Sequence, residues 1–178
     1  MLRTFPVHFV LVKQIHPHEC HYPHHAAALA DTILREQLWR MPIALERTSL
    51  AVMDGHHRLQ AACQIRLKYV PCLLLDYDYV QVDATRRNYP VNPHEIVRRA
   101  RAGDLYPPKT TRHRFPSPLP ICNISVPLLQ DQAISQSSPV PPRSLNRYLA
   151  SMMDAANVRC TVLNRERTPF SPEYGKAP

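Results

Sequence analysis

Met53-Asp54-Gly55-His56-His57-Arg58-Leu59 decides the fold of this chain. Residues 50–53 ahead of it read as a short strand. Behind it, Leu59, Ala62, Cys63 and Leu67 recur at helical spacing. Asp54-Gly55 therefore marks a strand-to-helix turn, and the helical period that follows argues against a hairpin. The first N–H groups of a helix have no partner inside it, and the macrodipole is positive there, so such an end attracts anions. His56, His57 and Arg58 add donors, and Arg can grip an oxyanion through two parallel bonds. Asp54 suits an anion pocket when a divalent metal accompanies the anion. The bland alternative is a plain Asp-Gly turn with solvated histidines.

Working outward, residues 7–12 are rich in strand formers, and Pro17 marks the loop His16-Pro17-His18-Glu19. Ala26, Leu29, Ala30, Ile33 and Leu34 form the stripe of an amphipathic helix over 24–38. Residues 42–45 and 50–53 read as strands around Arg47-Thr48-Ser49, and 70–75 as a buried strand. The order strand, helix, two strands, helix, strand is that of a compact mixed α/β unit. A further helix is expected over 93–102, with Pro93 in its first turn, Gly103 at its exit, and Arg98, Arg99 and Arg101 on a solvated face.

The chain has 178 residues, enough for one domain and an appendage. Ten of its 19 prolines follow residue 115, so residues 1–114 are expected to be the domain. Residues 115–178 are expected to be a proline-rich extension with one helical candidate at 143–156. The formal net charge of +8 favours anionic partners without choosing among them. No run of 18 apolar residues predicts a membrane span, and no signal peptide is evident, so a cytoplasmic protein is expected. The five cysteines include no Cys-x-x-Cys pair. Cys63 and Cys72 are expected to be buried. The imidazoles of residues 16–25, with Cys20, match no zinc spacing.

Lys109-Thr110-Thr111-Arg112-His113 joins hydroxyls to cations, which suits a phosphate or an amino-acid carboxylate, or else a solvated basic loop. Asp76 and Tyr77, at a strand end, either border the same pocket or cap a turn. Glu19 by itself is an exposed loop carboxylate.

Three strings taken together resemble the ParB/sulfiredoxin superfamily: Asp-Gly-His-His-Arg at 54–58, Ile-His-Pro-His-Glu at 15–19, and Pro-Pro-Lys-Thr-Thr-Arg-His at 107–113. Within that superfamily the match, over about residues 7–114, resembles the free serine kinases, SerK and SbnI of staphyloferrin B biosynthesis. Sulfiredoxins carry a reactive cysteine where His56 stands, so sulfinic-acid repair is not expected. Chromosome-partition ParB proteins carry a different nucleotide string and a following helix-turn-helix, neither of which is evident here.

The resemblance implies phosphoryl transfer from ATP or ADP, with Mg²⁺ at Asp54, to free L-serine, giving O-phospho-L-serine. It implies phosphates on Asp54, Gly55, His56, His57 and Arg58, and Glu19 as catalytic base. Lys109, Thr110, Thr111, Arg112 and His113 would hold phosphate or the serine carboxylate. It also implies a place in siderophore or other specialised amino-acid biosynthesis; with no recognition helix and no apolar span in the sequence, neither a specific nucleic acid nor a membrane is expected as partner. The alternatives are a ParB-type nucleotide-dependent nucleic-acid binder without turnover and a relative that binds nucleotide only.

Overall fold

The computed structural model describes residues 6–130. The helical candidate at 143–156 lies outside them. Strand β1 (His8–Leu11) is followed by helix α1 (Pro23–Glu36), the two-residue strand β2 (Leu38–Trp39), and the hairpin β3 (Ile43–Glu46) and β4 (Val52–Asp54). Helix α2 (His56–Gln64) and strand β5 (Tyr69–Leu75) complete the unit expected from the sequence. Strand β6 (Gln81–Ala84), helix α3 (Pro93–Ala102), strand β7 (Thr111–Arg114), strand β8 (Ile124–Ser125) and the short helix α4 (Val126–Leu129) follow.

The main sheet has the order β1-β5-β3-β4, with β3 and β5 parallel and the other pairs antiparallel. The apolar run of β5 follows from its place, because a strand covered on both faces has no polar side. Val70, Cys72 and Leu74 face one core with Ile43, Leu45 and Val52, beneath α1 and α2. Leu75 faces the opposite core with Ala44, Met53 and Val80. Pro71, which has no N–H to give a ladder, lies one residue before the pairing with β3 begins at Cys72.

The hairpin that carries Asp54 is tied by its own carboxylate. Glu46 accepts from Thr48 N at 3.1 Å, Ser49 N at 2.6 Å and both hydroxyls. Burial works to raise the pKa of this carboxyl, but the bonds from Ser49 and Thr48 outweigh it and hold the group below the usual carboxylate range.

Several local expectations need correcting. Helix α1 stops at Glu36, not Leu38, because Gln37 takes a left-handed turn (φ 53°). Leu34 lies off the buried stripe and is 42% exposed. Cys63 is exposed while Cys72 is buried, because α2 buries Leu59, Ala61 and Ala62. Part of the segment 109–113 is strand rather than loop: Thr111–Arg114 pairs with Gln81–Ala84. Alternation along β7 turns Thr111 and His113 inward and Arg112 and Arg114 outward. Beyond Arg114 the chain returns to the core, where Cys122, Ile124, Val126 and Leu129 are buried and β8 pairs with β2.

Glu46→Gln sets an amide NH₂ against backbone donors in this turn. It is expected to lower the unfolding free energy by about 1–3 kcal/mol, measured by urea denaturation at pH 7. Unchanged stability would show that the turn does not need the carboxylate.

Candidate functional site

The site begins where β4 ends. Gly55 has φ 115°, a region that L side chains rarely adopt, and a Cβ there would meet the Arg58 guanidinium at 3.2–3.3 Å. The turn therefore requires glycine, and it lets α2 start directly after Asp54. No side chain caps α2, and Asp54, Gly55, His56, His57 and Arg58 all line a cavity of about 910 Å³. The anion-attracting end of the helix opens onto that cavity.

Arg58 is not a free fork. Its Nη2 donates to Asp54 Oδ2 at 2.6 Å, and its Nη1 donates to the Pro42 carbonyl. It braces the turn and leaves Asp54, whose side chain is 48% exposed, facing the cavity with one oxygen engaged. His57 is engaged as well: its Nε2 accepts from Tyr22 N at 3.1 Å, tying the start of α1 to that of α2.

The second part of the site comes from Glu19 and the segment 109–113, about ninety residues apart and brought together at one carboxylate. Glu19 Oε1 accepts from Lys109 N at 2.7 Å. Its Oε2 accepts from Thr110 N at 2.9 Å, Thr111 N at 2.8 Å and Thr111 Oγ1 at 2.9 Å. Lys109 adopts a left-handed φ of 57°, which aims three successive N–H groups at a single acceptor. Bonds to a charged acceptor are strong enough to hold such a conformation. Glu19, Lys109, Thr111, Arg112 and His113 line the same cavity as the α2 terminus. Thr110 is fully buried behind them.

Three imidazoles underlie this polar end. His18, fully buried, places Nε2 3.0 Å from Thr111 Oγ1, and its ring stands edge-on to those of His56 (4.6 Å) and His113 (5.7 Å). His113 Nε2 lies 3.0 Å from Tyr77 Oη. Burial, seconded by His113, pulls the pKa of His18 down to about 3. Burial lowers His113 to about 4 against the opposing pull of Asp54. His56 is held well below its ordinary value by burial and then by His18 and His113. The cluster is neutral at physiological pH.

Much of the remaining wall is apolar, with Leu29, Ile33, Trp39, Met41 and Ile121, and Thr32, Glu36, Arg40 and Asn123 line it as well. Sequence reasoning identified the polar end and missed this wall, because Trp39 and Ile121 lie in segments without periodicity. It read His18 as one of a solvated histidine cluster, whereas the ring is fully buried, which nothing in the string Pro-His-Glu announces. Asp76 pairs with Arg47 at 3.1 Å, and Tyr77 reaches the site through His113 and through its packing near Met53. Arg98 and Arg99 are paired with Glu95 and Asp104. Among the described residues no three His, Cys, Asp or Glu side chains stand together as a metal-binding group. None of the described helices is long and apolar enough to cross a membrane.

No protein-family model matches the chain. A ParB-like protein of Sulfolobus acidocaldarius is 28% identical over 97 residues, which are 54% of this chain and 48% of that relative. The match thus spans about half the length of the curated relative. Among solved structures, a free serine kinase in complex with AMP superposes with a TM-score of 0.65 at 14% identity, over 72% of this chain and 95% of that one. C-terminally truncated SbnI from Staphylococcus aureus gives 0.66 at 15% identity, over 83% and 97%. The fold is therefore the mixed α/β fold of these proteins, the ParB/sulfiredoxin-like type.

The buried imidazoles give stability a pH dependence of known sign. Their folded pKa values lie below the unfolded value of about 6.5, so their contribution is complete above that pH. It is lost as pH falls, because the unfolded chain takes up protons that the folded one refuses. Each of His18 and His113 adds a slope of up to about 1.4 kcal/mol per pH unit below 6.5, ending near pH 4 for His113 and near pH 3 for His18. Urea unfolding between pH 7 and 4.5 is expected to show this decline. A flat profile would mean that the rings are protonated in the fold.

Proposed function

We propose that this protein transfers a phosphoryl group from ATP or ADP to the hydroxyl of free L-serine. The observation that carries the reading is the convergence of three groups on one cavity end: the uncapped N-terminus of α2, the Glu19 carboxylate and the Lys109–His113 segment. A cavity of about 910 Å³ is of the size that takes a nucleotide. Its apolar wall suits a base, and its polar end suits phosphates. The likeness in fold to a free serine kinase, of which complexes with AMP and ADP are known, supports the same assignment.

In this reading the phosphates lie on the first turn of α2, held by backbone N–H groups and His56, with Lys109 and Arg112 supplying charge. His57 and Arg58 brace the turn beside them. Asp54 has one oxygen with no hydrogen-bond partner among the described residues and fits a site for Mg²⁺, which binds through one or two carboxylates and the phosphates themselves. When bound, the ion offsets phosphate charge.

Glu19 Oε1, which has a single donor, accepts the proton of the serine hydroxyl. The serine Oγ–P bond forms as the bond from phosphorus to the bridging oxygen breaks, and the departing ADP or AMP keeps that electron pair. Positioning and electrostatics supply most of the acceleration in such a transfer. The product, O-phospho-L-serine, is suited to a later β-replacement, as in siderophore or other specialised amino-acid synthesis.

Glu19→Gln is expected to lower kcat by about 10²–10⁴-fold and leave the dissociation constant for ADP within about twofold. The Lys109 N–H then faces an amide donor, so a modest fall in melting temperature is expected too. Phosphoserine by mass spectrometry and calorimetry with ADP are the measurements. An unchanged rate removes Glu19 from the chemistry.

Binding to duplex DNA at low salt is expected to be sequence-blind and lost by physiological ionic strength, as charge attraction alone dictates. Arg98 and Arg99, two of the three arginines of α3, are occupied by ion pairs. A complex that survives random competitor DNA at moderate salt would favour a ParB-type binder instead.

A further inference from the structure

Glu19 Oε2 takes three donors where Oε1 takes one, and the third is a hydroxyl that could point elsewhere. Thr111 Oγ1 has one proton and stands between two partners, Glu19 Oε2 at 2.9 Å and His18 Nε2 at 3.0 Å. An ionised carboxylate only accepts, so if the hydroxyl proton points to Glu19, His18 must carry its own proton on Nε2.

The competing arrangement places the ring proton on Nδ1. With Nε2 turned to Thr111, the Val52 carbonyl favours a proton on Nδ1, but no bond of ordinary geometry reaches Nδ1. A hydrogen bond to a charged oxygen is about twice as strong as one between neutral groups, so the carboxylate decides the direction of the chain. Burial keeps the ring from taking a second proton at neutral pH. The titratable groups around it are His56 from α2, His113 from β7 and Tyr106 ahead of β7.

We infer that His18 is a positioning residue: as the Nε2–H tautomer it turns the Thr111 hydroxyl toward Glu19, filling Oε2 and leaving Oε1 as the more basic oxygen. The catalytic half of this inference rests on the kinase reading. The hydrogen-bond chain itself does not.

Two measurements separate them. A long-range ¹H–¹⁵N spectrum of the full chain at pH 7 reads the His18 tautomer without any turnover. The expected result is a protonated Nε2 and a bare Nδ1, with the Nε2 signal displaced in Thr111→Val. A protonated Nδ1 in the parent overturns the inference.

Kinetics then test its consequence. His18→Phe fills the space without a donor and is expected to lower kcat about tenfold, with KM for serine and nucleotide unchanged. His18→Gln, which can still donate to Thr111, is expected to restore most of the rate. Loss through KM alone, or no rescue by His18→Gln, overturns the positioning role. If His18→Phe does not fold, Thr111→Val and Thr111→Ser test the same link from its other end, with loss expected only in the first. Equal rates in those two would overturn it as well. Absence of phosphoserine from the parent protein would sink the kinase reading and the catalytic consequence with it, while the spectrum still decides the tautomer.

Discussion

One carboxylate holds the polar end of the cavity together. Glu19 receives the N–H groups of Lys109, Thr110 and Thr111, and these bonds join the loop after β1 to the strand that closes the site. Without an acceptor at that point, three buried or half-buried N–H groups would lack partners and Lys109 would have no reason to remain left-handed. The backbone bonds from Cys20 to Tyr106 and from Tyr106 to His18 continue the same seam. The inward set of β7, Thr111 and His113, then falls in register against His18, Tyr77 and the start of α2.

The parts of the fold that were legible in the sequence are those with a strong period or a stereochemical marker. The α1 stripe, the all-apolar β5, and α3 between Pro93 and Gly103 are of this kind. So is the Asp54-Gly55 junction, where only glycine fits both φ and the Arg58 side chain. Illegible were pairings too short to leave a pattern. β2 and β8 have two residues each, and their pairing spans more than eighty residues. Left-handed turns at Gln37 and Asn123 gave no signal either, because these residues occupy positions usually given to glycine.

That most of the site residues gather on one cavity was legible in the sequence, and their geometry was not. Residue types indicated that Arg58 and His57 would bind anions, yet both spend hydrogen-bonding capacity on the protein, and composition says nothing about where a guanidinium points. The resemblance singled out Glu19, whereas three of its four donors are backbone groups that any residues at 109–111 would carry, Pro excepted, and the fourth is the Thr111 hydroxyl. His18 is the clearest instance of information that only packing supplies, since an imidazole beside a proline in a histidine-rich stretch reads as solvated until its neighbours are known.

The distance along the chain between Glu19 and its three donors has a consequence for synthesis. A chain emerging from the ribosome N-terminal end first can complete the β3–β4 hairpin and α2 early. The central strand β5, once out, can pair with β1 and β3. The cavity end cannot exist at that stage, because about thirty-five more residues must appear before Lys109, Thr110 and Thr111 reach Glu19. During that interval, a few seconds at ordinary elongation rates, the carboxylate and the imidazole beside it are wet and unpaired. Nascent chains halted before residue 109 would therefore carry the sheet without the pocket, and ligand recognition would arise in one late step instead of growing with the chain.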